Sequence, residues 1–238
     1  MNRIFITGDV HGQKDIWKLK GNNFQIKNEL TKDDYLIITG DFGGVWFGTS
    51  DIIHIEHGQC YGCDDYLLKW YQDQNYTTLW IDGNHENHAL LDAYPVEEWH
   101  GGKIHRIMPS VIHLMRGQVF EIGGKSIFTM GGASSTDREY RVKNVSWWER
   151  ELPCEQEYED ARRNLKNNKN KVDYIVTHCI GYEYMKMIGR MRVTDRLTLF
   201  LSEIDKMVEY NHWYFGHYHK DMKIDSKHTA LFQNIIEI

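Results

Sequence analysis

The stretch Tyr35-Leu36-Ile37-Ile38-Thr39-Gly40-Asp41 decides the fold. It is an uninterrupted apolar run that ends directly at a glycine and a carboxylate. Such a run is typical of a strand that is buried on both faces, as in a parallel sheet. Four further strand-like runs, at residues 3–7, 77–81, 172–176 and 212–215, are also followed directly by short polar segments. Because ligand sites in such sheets lie outside the carboxyl ends of the strands, we expect the five ends to converge.

The five strand ends all carry side chains that can bind a metal or a phosphate. In chain order they are Asp9 and His11, then Asp41, then Asn84 and His85, then His178, then His217 and His219. Each piece alone has a simpler interpretation. Asp41 could cap a helix, and His178 could be a hydrogen-bonded core histidine. All five pieces together, each at the end of a strand, favour a metal site.

The segments between the strands indicate an α/β fold with a mostly parallel core. Residues 64–74, 155–167 and 195–210 space their apolar side chains at helical intervals. Residues 119–122 and 126–130 predict a hairpin on a Gly-Gly turn, and residues 222–225 and 229–238 predict a second antiparallel pair. The sheets should therefore be mixed. No linker or break in composition divides the chain, so we expect a single domain over residues 1–238.

Composition narrows the class of protein. The chain has 238 residues, a formal net charge of -6 and 13 histidines. That charge argues against a protein that grips duplex nucleic acid, but a bound metal could still attract a small phosphorylated substrate. A surplus of histidine is commonly explained by metal binding.

Cysteine and apolar patterns predict a reduced, cytoplasmic protein. The Cys60-x-x-Cys63 pair has no second pair to complete a zinc site, so spectator thiols are favoured over a redox motif. No apolar run is long enough to span a bilayer, and the start is too short in apolar residues for a signal peptide. We therefore expect no membrane partner.

The ordered blocks Asp-x-His, Gly-Asp, Gly-Asn-His-Glu, a lone His and Gly-His-x-His resemble the calcineurin-like metallophosphoesterase family. They run from Gly8 to His219, which is nearly the whole chain. The resemblance implies a four-layer α/β/β/α sandwich of two mixed sheets. It also implies a two-metal centre at the strand ends, in which a metal-bridging hydroxide attacks phosphorus.

The resemblance also implies a role for each matched residue. Asp9, His11 and His219 would bind the first metal, Asp41 would bridge both metals, and Asn84, His178 and His217 would bind the second. His85 would be the catalytic residue above the scissile phosphate. Nitrogen and oxygen ligands without thiolate suit two divalent ions of Mn, Fe or Zn.

The sequence departs from the family pattern after Asp41. Many relatives carry an aspartate three residues later, which orients the catalytic histidine, followed by an arginine that clamps phosphate. Here those positions are Gly44 and Val45, which argues against a protein phosphatase. Glu86, Asp82 or a backbone carbonyl remain as candidates to orient His85.

Substrate contacts are expected in three places. The candidates are Trp46 in the loop after Asp41, Arg138 and Arg141 in the stretch before Trp147 and Trp148, and Tyr182 after His178. An arginine beside an aromatic ring could hold a phosphate and stack a base. The alternative is that the two adjacent tryptophans pack a helix against the sheet.

The function favoured by the sequence is that of a metal-dependent phosphoric ester hydrolase. It would be a phosphatase or phosphodiesterase acting on a phosphorylated small molecule or nucleotide. A nuclease for single-stranded nucleic acid is the alternative, which the negative net charge disfavours. A scaffold that has lost catalysis is less favoured still, because all seven ligands and His85 are present. The sequence leaves open monoester against diester preference, the native metal pair and the oligomeric state.

Overall fold

The predicted parallel strands form the centre of a seven-stranded sheet in the computed structural model, which describes residues 2–48, 64–189 and 194–238. Within those residues the strands of this first sheet are β1 Ile4–Thr7, β2 Tyr35–Ile38, β3 Thr77–Trp80, β4 Val96–Trp99, β5 Gly102–Met108, β6 Val111–Leu114 and β13 Ile235–Glu237. Their order is β13-β1-β2-β3-β6-β5-β4. Strands β1, β2, β3 and β6 are parallel, and antiparallel strands flank them on both sides.

The second sheet repeats this plan with six strands in the described part of the chain. They are β7 Gln118–Ile122, β8 Lys125–Met130, β9 Tyr174–Thr177, β10 His212–Phe215, β11 Met222–Lys223 and β12 His228–Ala230. Their order is β11-β12-β10-β9-β8-β7, with the central four parallel. The predicted hairpin on Gly123 and Gly124 is confirmed as the antiparallel pair β7–β8.

The predicted helices are confirmed with small changes at their ends. Over the described residues the α-helices are α1 Asp65–Gln72, α2 His88–Leu91, α3 Glu155–Asn167, α4 Tyr182–Met185 and α5 Arg196–Met207. Short 3₁₀ segments occur at Ile16–Leu19, Gly21–Glu29, Arg138–Tyr140 and Glu149–Glu151. Asp195 caps α5 by accepting a hydrogen bond from the backbone N–H of Thr198 at 2.8 Å. Among the described residues, the helices lack the length and apolar character that crossing a membrane requires.

Three buried apolar clusters define four layers. In the middle cluster the inner faces of the two sheets meet, for example Ile6 and Ile37 from the first sheet with Ile127 and Val176 from the second. One outer cluster packs α1 on the first sheet, and the other packs α3 and α5 on the second. Burial of each large apolar side chain stabilises this arrangement by roughly 1.5–3 kcal/mol. The predicted α/β/β/α sandwich of two mixed sheets is therefore confirmed.

The predicted C-terminal pair is wrong in its second half. Strand β11 does pair antiparallel with β12, but the chain leaves the second sheet after Ala230. The Asp221 carboxylate accepts hydrogen bonds at 2.9–3.0 Å from the backbone N–H groups of Phe232, Gln233 and Asn234. This turn directs β13 across to the first sheet, where it pairs antiparallel with β1. The final strand therefore belongs to the opposite sheet.

The carboxyl ends of strands from both sheets meet at one edge of the sandwich. Thr7 at the end of β1 pairs with Ile38 at the end of β2, and Thr177 at the end of β9 pairs with Phe215 at the end of β10. Across the two sheets, the backbone N–H of His217 donates to both carboxylate oxygens of Asp9, at 2.9 and 3.1 Å. The loops that follow these strands therefore share one site.

Candidate metal centre

Asp41 lies at the centre of the converged loops with its carboxylate buried. Its Oδ2 is 3.3 Å from His11 Nε2, and its Oδ1 is 3.4 Å from His178 Nε2. The backbone N–H of His85 donates to Oδ1 at 2.8 Å. Each oxygen of this carboxylate therefore faces a different histidine.

Two groups of side chains able to hold a metal ion share this carboxylate. The first is Asp9, His11, Asp41 and His219, and the second is Asp41, His178 and His217; within each group the ligand atoms lie within 4.8 Å of one another. Asn84 adjoins the second group, because its Oδ1 is 3.2 Å from His178 Nε2 while its amide nitrogen donates to Ser135 Oγ at 3.1 Å. The fold thus brings together all seven residues named as ligands from the sequence, and their individual roles stay predictions.

The backbone at these residues is held in an unusual conformation. The φ angles of His11, Asp41, His217 and His219 are 48°, 47°, 67° and 50°. These four make up half of the eight non-glycine residues with positive φ in the described part of the chain. Each such residue costs about 1–3 kcal/mol, and strain of this kind clusters at functional sites.

Two glycines allow the carboxylates to approach the neighbouring loops. A Cβ on Gly83 would overlap the Asp41 carboxylate, and a Cβ on Gly216 would overlap the Asp9 carboxylate. A glycine before each ligand block is therefore a steric requirement here, because any side chain would displace the carboxylate.

Charge is concentrated in the buried site. Burial disfavours ionisation of both aspartates, but hydrogen bonds and charge from the histidines hold the pKa of Asp9 below its usual range and that of Asp41 well below it. Burial likewise opposes a charge on His178, yet Asp41 and Asp9 raise its pKa to about 10. A proton on this imidazole takes the place that a cation would occupy, so metal and proton compete for the site.

The donor set fits a divalent transition metal. It consists of imidazole nitrogens with carboxylate and amide oxygens, which suits Mn, Fe or Zn. Outer partners orient two of the rings: His11 Nδ1 is 2.8 Å from Asp15 Oδ2, and His178 Nδ1 donates to the Thr39 carbonyl at 2.8 Å. Both bonds leave Nε2 directed at Asp41, and such outer partners are typical of metal-binding histidines.

Lys18 supports the site and was not identified from the sequence. Its side chain is buried, and Nζ donates to the backbone carbonyls of Gly8 and Asp9 at 2.8 and 2.7 Å. Burial lowers the pKa of this amine to about 8. A lone lysine in a 3₁₀ turn gives no sequence signal of this role, because the role depends on how the turn folds back onto β1.

The side chain next to His85 is the arginine Arg141, and not the orienting carboxylate that many relatives carry. Its Nη1 is 3.0 Å from His85 Nδ1 and its Nη2 is 3.3 Å from His85 Nε2. Asp137 forms an ion pair with this guanidinium, with Oδ1 2.8 Å from Arg141 Nε. Burial lowers the pKa of His85 and the arginine acts in the same direction, while Asp41 opposes them.

The two carboxylates proposed to orient His85 have other partners. Glu86 accepts hydrogen bonds from the backbone N–H groups of Phe42 and Gly43, at 2.7 and 3.3 Å. Asp82 forms a buried ion pair with Arg116, whose Nε donates to Oδ2 at 2.8 Å. These carboxylates brace the loops on either side of His85.

The remaining predicted substrate contacts separate into different surroundings. Arg138 donates to Glu151 Oε1 and to Ser134 Oγ, both at 2.7 Å, and is not among the described residues that line the cavity at Asp41 or the cavity at Trp46. Tyr182 begins α4, where its backbone N–H donates to Ser202 Oγ at 3.2 Å. Trp46 lines a cavity and packs edge-to-face on the buried Trp148, with ring centroids 5.6 Å apart. Cys60 and Cys63 lie outside the described residues.

A cavity of about 490 Å³, here called the main cleft, opens onto the centre. Asp41, Asn84, His85, His217 and His219 lie along it together with Arg141. Its walls mix polar and apolar side chains, among them Ser134, Ser135, Met185 and Tyr218. The size is typical of a site for a small organic ligand.

Comparison with known proteins gives one clear match. The family model described as calcineurin-like phosphoesterase matches residues 2–221. No curated protein matches the chain significantly. The matched span contains all five strand ends that carry the candidate ligands.

Proposed function

Because the chain belongs to the calcineurin-like phosphoesterase family, we propose that it hydrolyses phosphate esters of a small molecule or nucleotide with two divalent metal ions. Family membership implies metal-dependent phosphoester hydrolysis. The observation that supports two ions is the single carboxylate of Asp41, which belongs to both groups of candidate ligands.

The proposed ligands form two sets. Asp9, His11, Asp41 and His219 would hold one ion, and Asp41, Asn84, His178 and His217 would hold the other. Ions of Mn, Fe or Zn bound there would supply an activated water near neutral pH and neutralise charge on the phosphate. Outer bonds from Asp15 and Thr39 would keep the imidazoles in place as ligands.

His85 and Arg141 would act on the phosphate from within the main cleft. The guanidinium would bind a phosphate oxygen, as planar arginine forks commonly do. The imidazole would hydrogen-bond the phosphate or give a proton to the leaving oxygen. Arg141 would thereby provide the positive charge that many relatives carry four residues after the bridging aspartate, where this chain has Val45.

The volume of the main cleft and the net charge of the protein favour a small substrate over a strand of nucleic acid. A cavity of about 490 Å³ suits a nucleotide-sized molecule. The net charge of -6 gives no general attraction for a polyanion. A labelled single strand should stay intact under conditions that cleave a small ester, and cleavage of the strand would favour a nuclease. The cytoplasmic location and the single domain stay predictions from the sequence.

The test is an activity panel with metal content measured on the same preparation. We expect turnover of p-nitrophenyl phosphate or its bis ester with added Mn, Fe or Zn, and about two ions bound per chain. Asp41→Ala should reduce bound metal to at most one ion and lower kcat/KM by roughly 10²-fold or more. The exposed Asp33→Ala is the matched control and should change neither quantity. An unchanged metal content in Asp41→Ala would contradict the assignment.

A further inference from the structure

A second cavity, here called the aromatic cleft, meets the main cleft at His85. Its volume is about 420 Å³, and its described lining includes His11, Gln13, Trp46, Phe47 and Leu67. Among the described residues, His85 lines both cavities. The two clefts therefore reach the candidate metal centre from different sides: His11 lines the aromatic cleft, while His217 and His219 line the main cleft.

The chemistry of the aromatic cleft is that of a site for an uncharged group. Lysine and arginine are absent from its described lining. Its one carboxylate, Asp64, is engaged by the backbone N–H groups of Trp46, Phe47 and Gly48, at 2.7, 3.0 and 2.8 Å. A second phosphate would find no lysine or arginine in the described lining, whereas an apolar or planar group would find aromatic surface.

The aromatic surface is accessible and held in place. Phe47 is 57% exposed. Trp46 is half-buried, and its ring is fixed at 90° against the ring of the buried Trp148. The three N–H bonds to Asp64 fix the backbone that carries both rings. A planar group can therefore stack on Trp46 with little loss of side-chain entropy.

We propose that the preferred substrate is a phosphodiester whose second ester group is planar and uncharged and lies against Trp46 and Phe47. This rests on the proposed function. A monoester has one organic group and would fill one cleft, whereas a diester places one group in each cleft with phosphorus between them. Hydrolysis forms one P–O bond from a water oxygen and breaks one ester P–O bond. It yields a phosphomonoester and an alcohol, and a water proton goes to the leaving oxygen.

Two diesters with the same leaving group test the aromatic cleft. Bis(p-nitrophenyl) phosphate carries a second aromatic ring, and methyl p-nitrophenyl phosphate carries a methyl group in its place. The quantity of interest is the ratio of their kcat/KM values, compared between wild type and variants so that intrinsic reactivity cancels. Phe47→Ala should lower this ratio about five- to tenfold, since stacking on an aromatic side chain is lost. Phe47→Tyr should restore it.

Trp17→Ala is the matched control, because Trp17 is 45% exposed and does not line either cleft in the described residues. It should leave the ratio unchanged. If Phe47→Ala also leaves the ratio unchanged, or if p-nitrophenyl phosphate is the better substrate of the wild type, the diester proposal is overturned and the hydrolase proposal stands. Absence of turnover with every ester and metal would overturn both.

Discussion

At the scale of single residues, the centre depends on close approach between loops that lie far apart in the sequence. Gly83 and Gly216 are the first residues of the motifs Gly-Asn-His-Glu and Gly-His-x-His, directly before the predicted ligands. The structure gives the physical reason, which is the space that the carboxylates of Asp41 and Asp9 require.

Gly83→Ala should therefore damage metal binding without any change to a ligand. Its Cβ would overlap the Asp41 carboxylate, so we expect metal affinity to fall by roughly tenfold or more, as for loss of an outer partner of a ligand. Titration with Mn followed by calorimetry measures this. Gly21→Ala is the control, since its Cβ would meet open space and only its positive φ of 56° would cost stability. Equal metal affinity in both variants would count against the steric argument.

Arg141 is the residue-scale feature that the sequence could not supply in full. It stands 56 positions from His85, and the contact depends on the path of the loop after β8. The sequence suggested a basic contact near the substrate, but the pairing with His85 and the support from Asp137 needed the folded chain.

Replacing Arg141 tests whether its guanidinium contributes to binding of the phosphate group. Arg141→Lys keeps a positive charge but loses the two parallel N–H donors of the guanidinium, so we expect KM to rise and kcat/KM to fall by roughly tenfold. In Arg141→Ala we expect kcat/KM to fall by roughly 10²-fold. Steady-state kinetics with a single ester gives both quantities. Arg163→Ala, an exposed arginine on α3, should behave as wild type. Wild-type kinetics for Arg141→Ala would exclude a role at the phosphate.

At the scale of elements, buried carboxylates hold the loop that follows β2. Glu86 accepts hydrogen bonds from the backbone N–H groups of Phe42 and Gly43. Asp64 accepts a hydrogen bond from the backbone N–H of Trp46. Glu86→Ala would leave one buried and one partly buried N–H group without their acceptor, so we expect a loss of about 1–3 kcal/mol in the free energy of unfolding. Urea denaturation measures it, with the exposed Glu98→Ala as control. A loss no greater than that of the control would show that water replaces the carboxylate.

His228 on β12 predicts a pH dependence away from the centre. Its Nδ1 is 2.9 Å from Asp225, and its Nε2 is 2.9 Å from Tyr210 Oη and 3.4 Å from Asp205. Burial opposes a charge on His228, but Asp205 and Asp225 raise its pKa above the ordinary value. The charged form therefore contributes stability that is fully present below about pH 6.5 and is lost as the pH rises through the raised pKa.

The comparison of wild type with His228→Gln isolates this contribution. At pH 6 we expect the variant to be less stable by about 1–3 kcal/mol, because a buried charged hydrogen bond is removed. The difference should shrink at higher pH, as wild type loses the charge. Denaturant unfolding at several pH values measures it, and a difference that grows with pH would contradict the sign.

The elements that could be predicted are those with an unambiguous pattern. Strands β1, β2 and β3 are buried along their whole length and are soon followed by glycine or aspartate, so their positions follow from the sequence. Strand β4 has mostly exposed side chains and carries no such pattern. The transfer of β13 to the first sheet depends on the long-range bonds of Asp221, which no local pattern encodes.

At the scale of the whole molecule, metal should act as a stabilising ligand of the fold. An ion that binds the folded chain at 100 times its Kd adds about 2.7 kcal/mol per site. Mn should therefore raise Tm by about 5–10 °C in a chain of this size, and a chelator should reverse the shift. Differential scanning fluorimetry measures this. Asp41→Ala should show a smaller rise in Tm. If millimolar Mn leaves the Tm of the wild type unchanged, the metal centre is contradicted.

The bond between His217 and Asp9 joins residues 208 positions apart, and it has a consequence for how the protein is made. While the chain emerges from the ribosome, Asp9 and Asp41 are synthesised long before the imidazoles of His178, His217 and His219. The nascent chain therefore cannot complete either proposed ligand set until its last quarter has been synthesised. On the proposed assignment, metal binding is a late event of biosynthesis, and a truncated product from a stalled ribosome would lack the proposed hydrolytic activity.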